Sequence, residues 1–347
     1  MTNIIDKNIS DNKKLNNSTN TRQSKTNLNI DERINKMIEY EKTRYKSKGY
    51  GLMFAFLICF FYFIYFPKIL KHIFYNNTKE SSLIFTNPGK FYFFSMITVH
   101  FLAWLASNLI FMFIYKLNIP FFERYKTSSD NWPWEENYDE WIILLKRTFK
   151  YLIINQSFLL VLLYIHNYMF DYCPFRTNES TIPSLYEILY QMLFFMVVED
   201  FAFYSTHRLL HHKKLYTMIH KVHHSYKQVV SISAEFCHPI EFILSNLIPT
   251  ILGPVILGYR VHILTYFMWV IFRIFETSEG HSGYEFSFSP FRLCFFSSGQ
   301  EFHNFHHLYF VNNYSSFFVY WDYIFGTVSP KYLKYVEIKK NKLVKND

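Results

Sequence analysis

Eleven histidines between residues 207 and 307 are the residues of this sequence with the clearest potential for chemistry. A window of 101 residues would hold between four and five of the chain's 15 histidines by chance, and this window holds twelve, His262 included. Side chains three or four positions apart share one face of a helix, so each run can direct two or three imidazoles at one point. Neutral imidazole suits iron, copper, nickel and zinc. The candidate ligands are His207, His211, His212, His220, His223, His224, His238, His281, His303, His306 and His307.

Eleven imidazoles exceed what one metal ion needs, so the spacing predicts a site for two metals with one or two histidines left over. In the first run His207 and His211 share a helix face, whereas His212 points about 140° further round. At most two of these three are therefore expected to bind metal. His238 and His281 stand alone between the runs and are included as ligands.

Carboxylates are expected behind the imidazoles rather than among them. The three runs lack the Glu-x-x-His spacing of soluble di-iron bundles, which predicts an all-imidazole set of ligands. Nearby carboxylates could accept the second ring N–H and so set the tautomer of each ligand. The candidates for this role are Glu199, Asp200, Glu235, Glu241 and Glu276.

Long apolar segments must position the histidines. Three windows, 49–67, 91–115 and 151–170, contain no Asp, Glu, Lys or Arg, and roughly 20 such residues span a bilayer. A fourth span is predicted at 184–206. The stretch 242–272 is interrupted by Pro and Gly, which favours a hairpin that dips into the bilayer. The predicted fold is an all-α integral membrane protein with four transmembrane helices, a re-entrant helical hairpin and a cytosolic helical cap that carries the histidines.

The net charge of +9 is explained by membrane orientation and not by nucleic acid binding. Residues 1–48 alone contain 11 Lys and Arg, whereas 68–90 and 171–183 contain 4 and 1. Cytosolic segments of membrane proteins carry such an excess. Both termini and all the histidine runs are therefore expected in the cytosol.

Composition divides the chain into four regions. Residues 1–48 read as a disordered, polar tail, although 31–48 are amphipathic, and 49–206 hold the transmembrane helices with their loops. The catalytic region is expected over 184–328 and a solvated, Lys-rich tail over 329–347. The four cysteines form no Cys-x-x-Cys pair, so neither a disulfide framework nor a cysteine metal site is expected.

The sequence around the histidines resembles the fatty acid hydroxylase superfamily of membrane di-iron enzymes. The resemblance lies in the order and spacing of the three runs, and three further stretches resemble C-4 methylsterol oxidases within that superfamily. The runs are His207-Arg-Leu-Leu-His-His212, His220-Lys-Val-His-His224 and His303-Asn-Phe-His-His307, and the further stretches are Ala234-Glu-Phe-Cys-His-Pro239, Glu276-Thr-Ser-Glu-Gly-His-Ser-Gly-Tyr284 and Asn313-Tyr-Ser-Ser316 continuing to Trp321-Asp-Tyr-Ile-Phe-Gly-Thr327.

This resemblance implies a monooxygenase with two iron ions and no haem, which uses O2 and electrons delivered by cytochrome b5 or a similar donor from NAD(P)H. It implies oxidation of the C-4 methyl group of a sterol precursor that enters from the bilayer, in the endoplasmic reticulum membrane. One position departs from the pattern. The branch opens the last run with two adjacent histidines, whereas here Phe302 precedes His303.

Several other functions remain open at this point. The same chemistry could act on a fatty-acyl or sphingolipid chain, or as a sterol desaturation. A non-catalytic zinc protein is disfavoured because structural zinc sites usually contain cysteine. A bis-histidine haem carrier would place paired histidines inside the spans, where only His100 and His166 lie.

Overall fold

The computed structural model describes residues 30–76, 87–128, 130–226 and 228–345, and over these residues the chain is helical without a strand. The all-α prediction is confirmed. The α-helices of six or more residues are α1 (Ile30–Lys48), α2 (Gly51–Ile64), α3 (Phe66–Lys71), α4 (Pro88–Leu117), α5 (Tyr138–Phe170), α6 (Leu185–Leu210), α7 (Lys213–Met218), α8 (Ile248–Leu257), α9 (Ile263–Gly280), α10 (Gln300–Tyr309), α11 (Tyr320–Phe325) and α12 (Pro330–Lys345). Shorter pieces include the 3₁₀ helices His220–Ser225, Ser231–Glu235, Gly258–Arg260 and Pro290–Arg292, and the π-helices His72–Asn76 and Phe242–Leu247.

Five stretches of the described chain are long and apolar enough to cross a membrane. Their outer faces carry large apolar side chains, and Phe56 and Ile153 are 60% and 66% exposed. Such surfaces are stable only against lipid, so the chain is a multi-pass membrane protein. The stretches are Gly51–Tyr75, Pro88–Leu117, Tyr138–Phe170, Leu185–Leu210 and Pro239–Arg260.

Local sequence signals begin and end these helices. Asn87, Asn137 and Ser184 cap α4, α5 and α6, because each side chain accepts a hydrogen bond from the backbone N–H three residues later. Asn118 and Asp171 end α4 and α5 in the left-handed conformation, with φ of 46° and 48°. The helix predicted at 151–170 begins earlier because the Asn137 cap lies well before the uncharged window.

Residues 239–280 form the expected helical hairpin, which reaches further than predicted. Its first arm, of 22 residues, is about 33 Å long at 1.5 Å per residue. The chain reverses at Gly258, whose φ of 51° suits glycine. At the turn, Arg176 of the α5–α6 loop donates to the Val261 carbonyl at 2.9 Å. The hairpin thus extends to the end of the bundle opposite the histidines, and its first arm is long and apolar enough to cross a membrane.

The bundle core lies between α4, α6 and α9. Phe195 and Phe267 are fully buried there, and the indole N–H of Trp269 donates to the Thr250 carbonyl at 2.8 Å, which ties the two hairpin arms together. A Cβ on Gly253 would lie 3.0 Å from Phe195 Cα. The small residue therefore lets α8 lie close against α6.

The polar region predicted at 1–48 is not uniform. Residues 1–29 lie outside the described residues, but α1 is a helix that packs beside α11 and α12. Arg33 donates to the Ile324 carbonyl at 3.1 Å, and Glu39 forms an ion pair with Lys340. The segment 30–48 is therefore part of the folded domain.

The C-terminal region, expected from the sequence to be a solvated, Lys-rich tail, contains a helix. Residues 330–345 form α12, whose Tyr332 is buried, and Lys339 pairs with Glu301 of α10 at 3.0 Å. Tyr332, Tyr335 and Val336 recur at helical spacing and form an apolar face among the lysines. High lysine content concealed this face in the sequence.

Candidate metal centre

Nine of the eleven candidate histidines meet at one end of the bundle, in two adjacent groups. Within each group, one ring nitrogen from every residue lies within 4.8 Å of those of the others. The groups touch each other, since the rings of His224 and His307 are 4.6 Å apart between centroids. The first group is His207, His211, His220, His224 and His306, and the second is His223, His281, His303 and His307.

The second and third runs each supply both groups. In 220–224 the outer pair joins the first group and His223 joins the second; in 303–307 the outer pair joins the second and His306 joins the first. On α10, His303 and His307 lie four positions apart on one face, while His306 is rotated from them. The repeated His-x-x-His-His spacing therefore builds two neighbouring sites.

The tautomers in the first group leave lone pairs facing each other. His207 Nδ1 lies 2.7 Å from the Tyr314 carbonyl and His220 Nδ1 lies 2.8 Å from a carboxylate oxygen of Glu241. The Tyr314 carbonyl and an ionised Glu241 carboxylate both accept only, so with Glu241 ionised both Nδ1 atoms carry the ring's proton. The Nε2 atoms of the same two rings are 3.1 Å apart. Neither has a proton to share with the other.

The second group repeats this arrangement. His223 Nδ1 lies 3.1 Å from the Phe236 carbonyl, and His281 Nδ1 lies 2.9 Å from the Thr277 carbonyl. The Nε2 atoms of these two rings face each other at 3.3 Å. Burial lowers the pKa of His223 to about 4 and that of His281 to about 3, so both rings are neutral near pH 7.

A cation resolves both arrangements. Two unprotonated nitrogens at hydrogen-bond distance repel each other unless a positive centre lies between them, and here a proton is disfavoured because burial opposes the charged ring. Convergent neutral imidazoles are the donor set of a transition metal. The donors of each group therefore fit a metal ion.

Backbone carbonyls hold the rings of His207, His223, His281 and His306, and the sequence did not reveal these contacts. Of the five carboxylates predicted to do so, Glu241 alone contacts a ligand ring among the described residues. The others have different partners: Glu199 pairs with Arg273 at 2.8 Å, Glu276 with Arg273 and Arg292, Asp200 accepts from the backbone of Phe317 and Phe318, and Glu235 lies 3.4 Å from Gln156.

The loop after α10 provides two of those carbonyls. His306 Nδ1 is 2.8 Å from the carbonyl of Asn312, whose φ is 71°, and Tyr314 serves His207. Asp322 fixes this loop, because its carboxylate accepts from the backbone N–H of Tyr314 at 3.0 Å and Ser315 at 2.7 Å. The Asn-Tyr-Ser-Ser and Trp-Asp stretches were the sequence signal for this support.

Two predicted ligands are not brought to the centre. His212 is exposed and precedes α7, and His238 accepts a hydrogen bond from the backbone of Ile240 at 3.2 Å. Each is a helix-end residue. We propose that these two histidines, which lie outside both groups, are the surplus expected from the sequence.

Phe302, the position that departs from the pattern, packs into the hydrophobic core beside α10. Its ring is fully buried with Val319, Tyr323 and Tyr332. Phe302 therefore contributes to packing and supplies no donor to either group.

Comparison with known proteins agrees with these features. Residues 192–327 match the model of the family described as fatty acid hydroxylase. Methylsterol monooxygenase 1 of Gallus gallus is 37% identical over 64% of this chain and 72% of its own length. Methylsterol monooxygenase 2-2 of Arabidopsis thaliana is 40% identical over 47% of the chain and 61% of its own length. A very-long-chain aldehyde decarbonylase of Oryza sativa subsp. indica is 42% identical over 44% and 58%. No solved structure matches the chain.

We predict that His306→Ala and His223→Ala each lower bound metal, because each removes one donor from a different group. His212→Ala is the matched control, since its ring is exposed and outside both groups. Metal content of the purified proteins by mass spectrometry measures the effect. Full metal in both ligand variants, or loss in the control, would contradict the assignment.

We predict that Asp322→Asn selectively weakens the first group. The amide replaces one accepting oxygen with an NH2 group, so a backbone N–H in the 314–315 turn loses its partner at a cost of about 1–3 kcal/mol. Tyr314 then holds His207 less firmly, and metal should fall toward half, whereas exposed Asp130→Asn should keep it. Equal loss from both groups would indicate general unfolding instead.

Proposed function

The chain belongs to the fatty acid hydroxylase superfamily and, within it, to the C-4 methylsterol oxidase branch, and from this premise we propose that it oxidises the C-4 methyl group of a sterol precursor. Membership indicates an iron-dependent oxygenase in a membrane. The observation that carries the proposal is the pair of buried histidine groups at the ends of membrane helices.

Two iron ions would be held, one by each group. His207, His211, His220, His224 and His306 would bind the first, and His223, His281, His303 and His307 the second. The irons would supply O2 activation and one-electron redox chemistry. Overall, one methyl group, one O2, two electrons and two protons give one hydroxymethyl group and one water. Two further rounds of oxidation would carry the alcohol through the aldehyde to the carboxylate.

The protein's own contribution is orientation and shielding. The Nδ1 hydrogen bonds to Tyr314, Glu241, Phe236, Thr277 and Asn312 keep five Nε2 atoms directed at the metals. Neutral donors leave most of the cationic charge uncompensated, which favours electron uptake. Burial of the rings excludes water, so a reactive site is protected from side reactions.

A lipid substrate is favoured by where the ligands are attached. His207 lies in the last turn of α6, and His281 directly follows α9, the second hairpin arm. Both helices also form the apolar core of the bundle. A sterol could therefore reach the centre from the bilayer without crossing water.

The methylsterol assignment is favoured over the other lipid reactions by the share of each relative's length that aligns with this chain. The chicken methylsterol monooxygenase aligns over 72% of its length, against 58% for the rice aldehyde decarbonylase. A fatty-acyl hydroxylase remains the second candidate of the same superfamily. These reactions differ in substrate and product, so lipid analysis separates them.

We expect the full-length chain to restore growth of a sterol-producing cell that lacks its own C-4 oxidase. The 4,4-dimethyl sterols should fall in parallel, and His306→Ala should leave them high at equal expression. The readout is sterol profiling by mass spectrometry. Unchanged methylsterols together with new 2-hydroxy fatty acids, or with consumed long-chain aldehydes, would move the substrate to another branch.

We also propose an endoplasmic reticulum location with the histidine groups in the cytosol. The poorly charged loop 171–183 and the turn 258–260 lie together at one end of the bundle, and the histidines with α1 and α12 lie at the other.

Tags at both termini should be accessible after selective permeabilisation of the plasma membrane. A cysteine at exposed Tyr172, in the opposite loop, should react with a membrane-impermeant reagent only after the inner membranes are opened. A terminal tag that stays protected would contradict the proposed orientation. So would labelling of Tyr172→Cys before the inner membranes are opened.

A further inference from the structure

A cluster of exposed cations lies along the segment that joins the first and second histidine runs. Between Asp200 and Glu235 the sequence has no acidic residue. Within this interval Arg208, Lys213, Lys214 and Lys221 are all exposed. Lys213 and Lys214 begin α7, the helix that joins the first and second histidine runs, while Arg208 precedes it and Lys221 follows it. We call these four residues the cationic face.

The inner side of α7 contacts the metal ligands. Tyr216 stacks against His211 with 5.5 Å between ring centroids, and it lies 5.7 Å from His224 and 6.2 Å from His220. One aromatic side chain thus separates the cationic face from three donors of the first group. His211 itself is only partly buried. The centre comes close to the surface here.

The proposed reaction needs two electrons that sterol and O2 do not supply. A protein donor must bring its own redox group near the buried centre, so it has to dock where the covering layer is thin. Electron-transfer complexes use small interfaces, often below about 1,200 Å². Opposite charge on the partner speeds the encounter and orients it.

The face also has the composition of a docking surface. Met218, at the end of α7, is 72% exposed beside the lysines. An exposed methionine within a charged rim is typical of protein interfaces, in which Met is enriched at the centre.

We propose that the cationic face docks an acidic one-electron carrier protein, an inference that rests on the proposed function. In each encounter the carrier loses one electron and one metal ion of the centre gains it. Two encounters supply the two electrons of one turnover. The lysines contribute attraction and orientation, and Tyr216 fills the space between the partner and the ligand rings.

The test uses the full-length, iron-loaded protein in neutral detergent, without O2. The probe is the reduced soluble haem domain of cytochrome b5, an acidic carrier, and its oxidation is followed by stopped-flow absorbance. The variant is Lys213→Glu with Lys214→Glu. The matched control is Lys116→Glu with Lys334→Glu, two exposed lysines outside the face that change the net charge equally.

The variant should lower the rate of reduction by the probe about tenfold or more at low salt, and the wild-type rate should fall as salt rises. Iron content and reduction by dithionite should stay unchanged, as should the control's rate with the probe. An unaltered variant rate, an equal loss in the control, or a wild type that the probe does not reduce would each overturn the proposal.

Two other outcomes have distinct meanings. If the variant loses only its binding to phosphatidylserine vesicles while the probe still reduces it normally, the face contacts lipid and the docking proposal is wrong. If dithionite-reduced wild type with O2 fails to oxidise a methylsterol, the proposed function fails, whatever the docking rates show.

Discussion

The arrangement on which this structure depends is the pairing of imidazole nitrogens that have no proton between them. In each group two rings donate their single N–H to an oxygen behind them. The remaining nitrogens of the two rings face each other, at 3.1 Å in the first group and 3.3 Å in the second. Such contacts are repulsive without a cation. The positions of the rings therefore fit a metal ion by their own geometry, and the surrounding fold must hold the rings against that repulsion.

Most of that restraint comes from backbone carbonyls, and carbonyls are only as fixed as the chain that carries them. The loop that serves His207 and His306 contains left-handed residues and is held by the Asp322 carboxylate. Behind it, the charged network of Arg273, Glu199 and Glu276 joins α9 to α6. Buried charges of this kind stabilise a unique arrangement only when each is paired. These carboxylates, unlike Glu241, thus act one step away from the rings.

The same helices serve both the membrane and the chemistry. α6 crosses the bundle and ends in the first histidine run, and α9 ends at His281. An apolar substrate and a buried polar site therefore meet where membrane helices end, while the partly buried His211 beneath α7 leaves the centre close to a charged surface. In the proposed reaction a lipid would enter along the membrane helices and electrons would enter beside α7, and these two inputs differ greatly in polarity.

The sequence alone predicted the helical membrane class, which the fold confirms, and it singled out the histidine runs as candidate ligands, because periodicity and spacing are local properties. It did not show which histidines share a metal: His306 joins His207 across 99 positions, and His303 joins His281. It also hid the carbonyl supports, since every residue has a carbonyl and only the tertiary fold directs one at a ring. The length of the hairpin and the burial of α12 were decided in the same way, by packing partners distant in the chain. The spacing of residues along the chain can be read from the sequence, whereas contacts between residues distant in the sequence arise only when the chain folds.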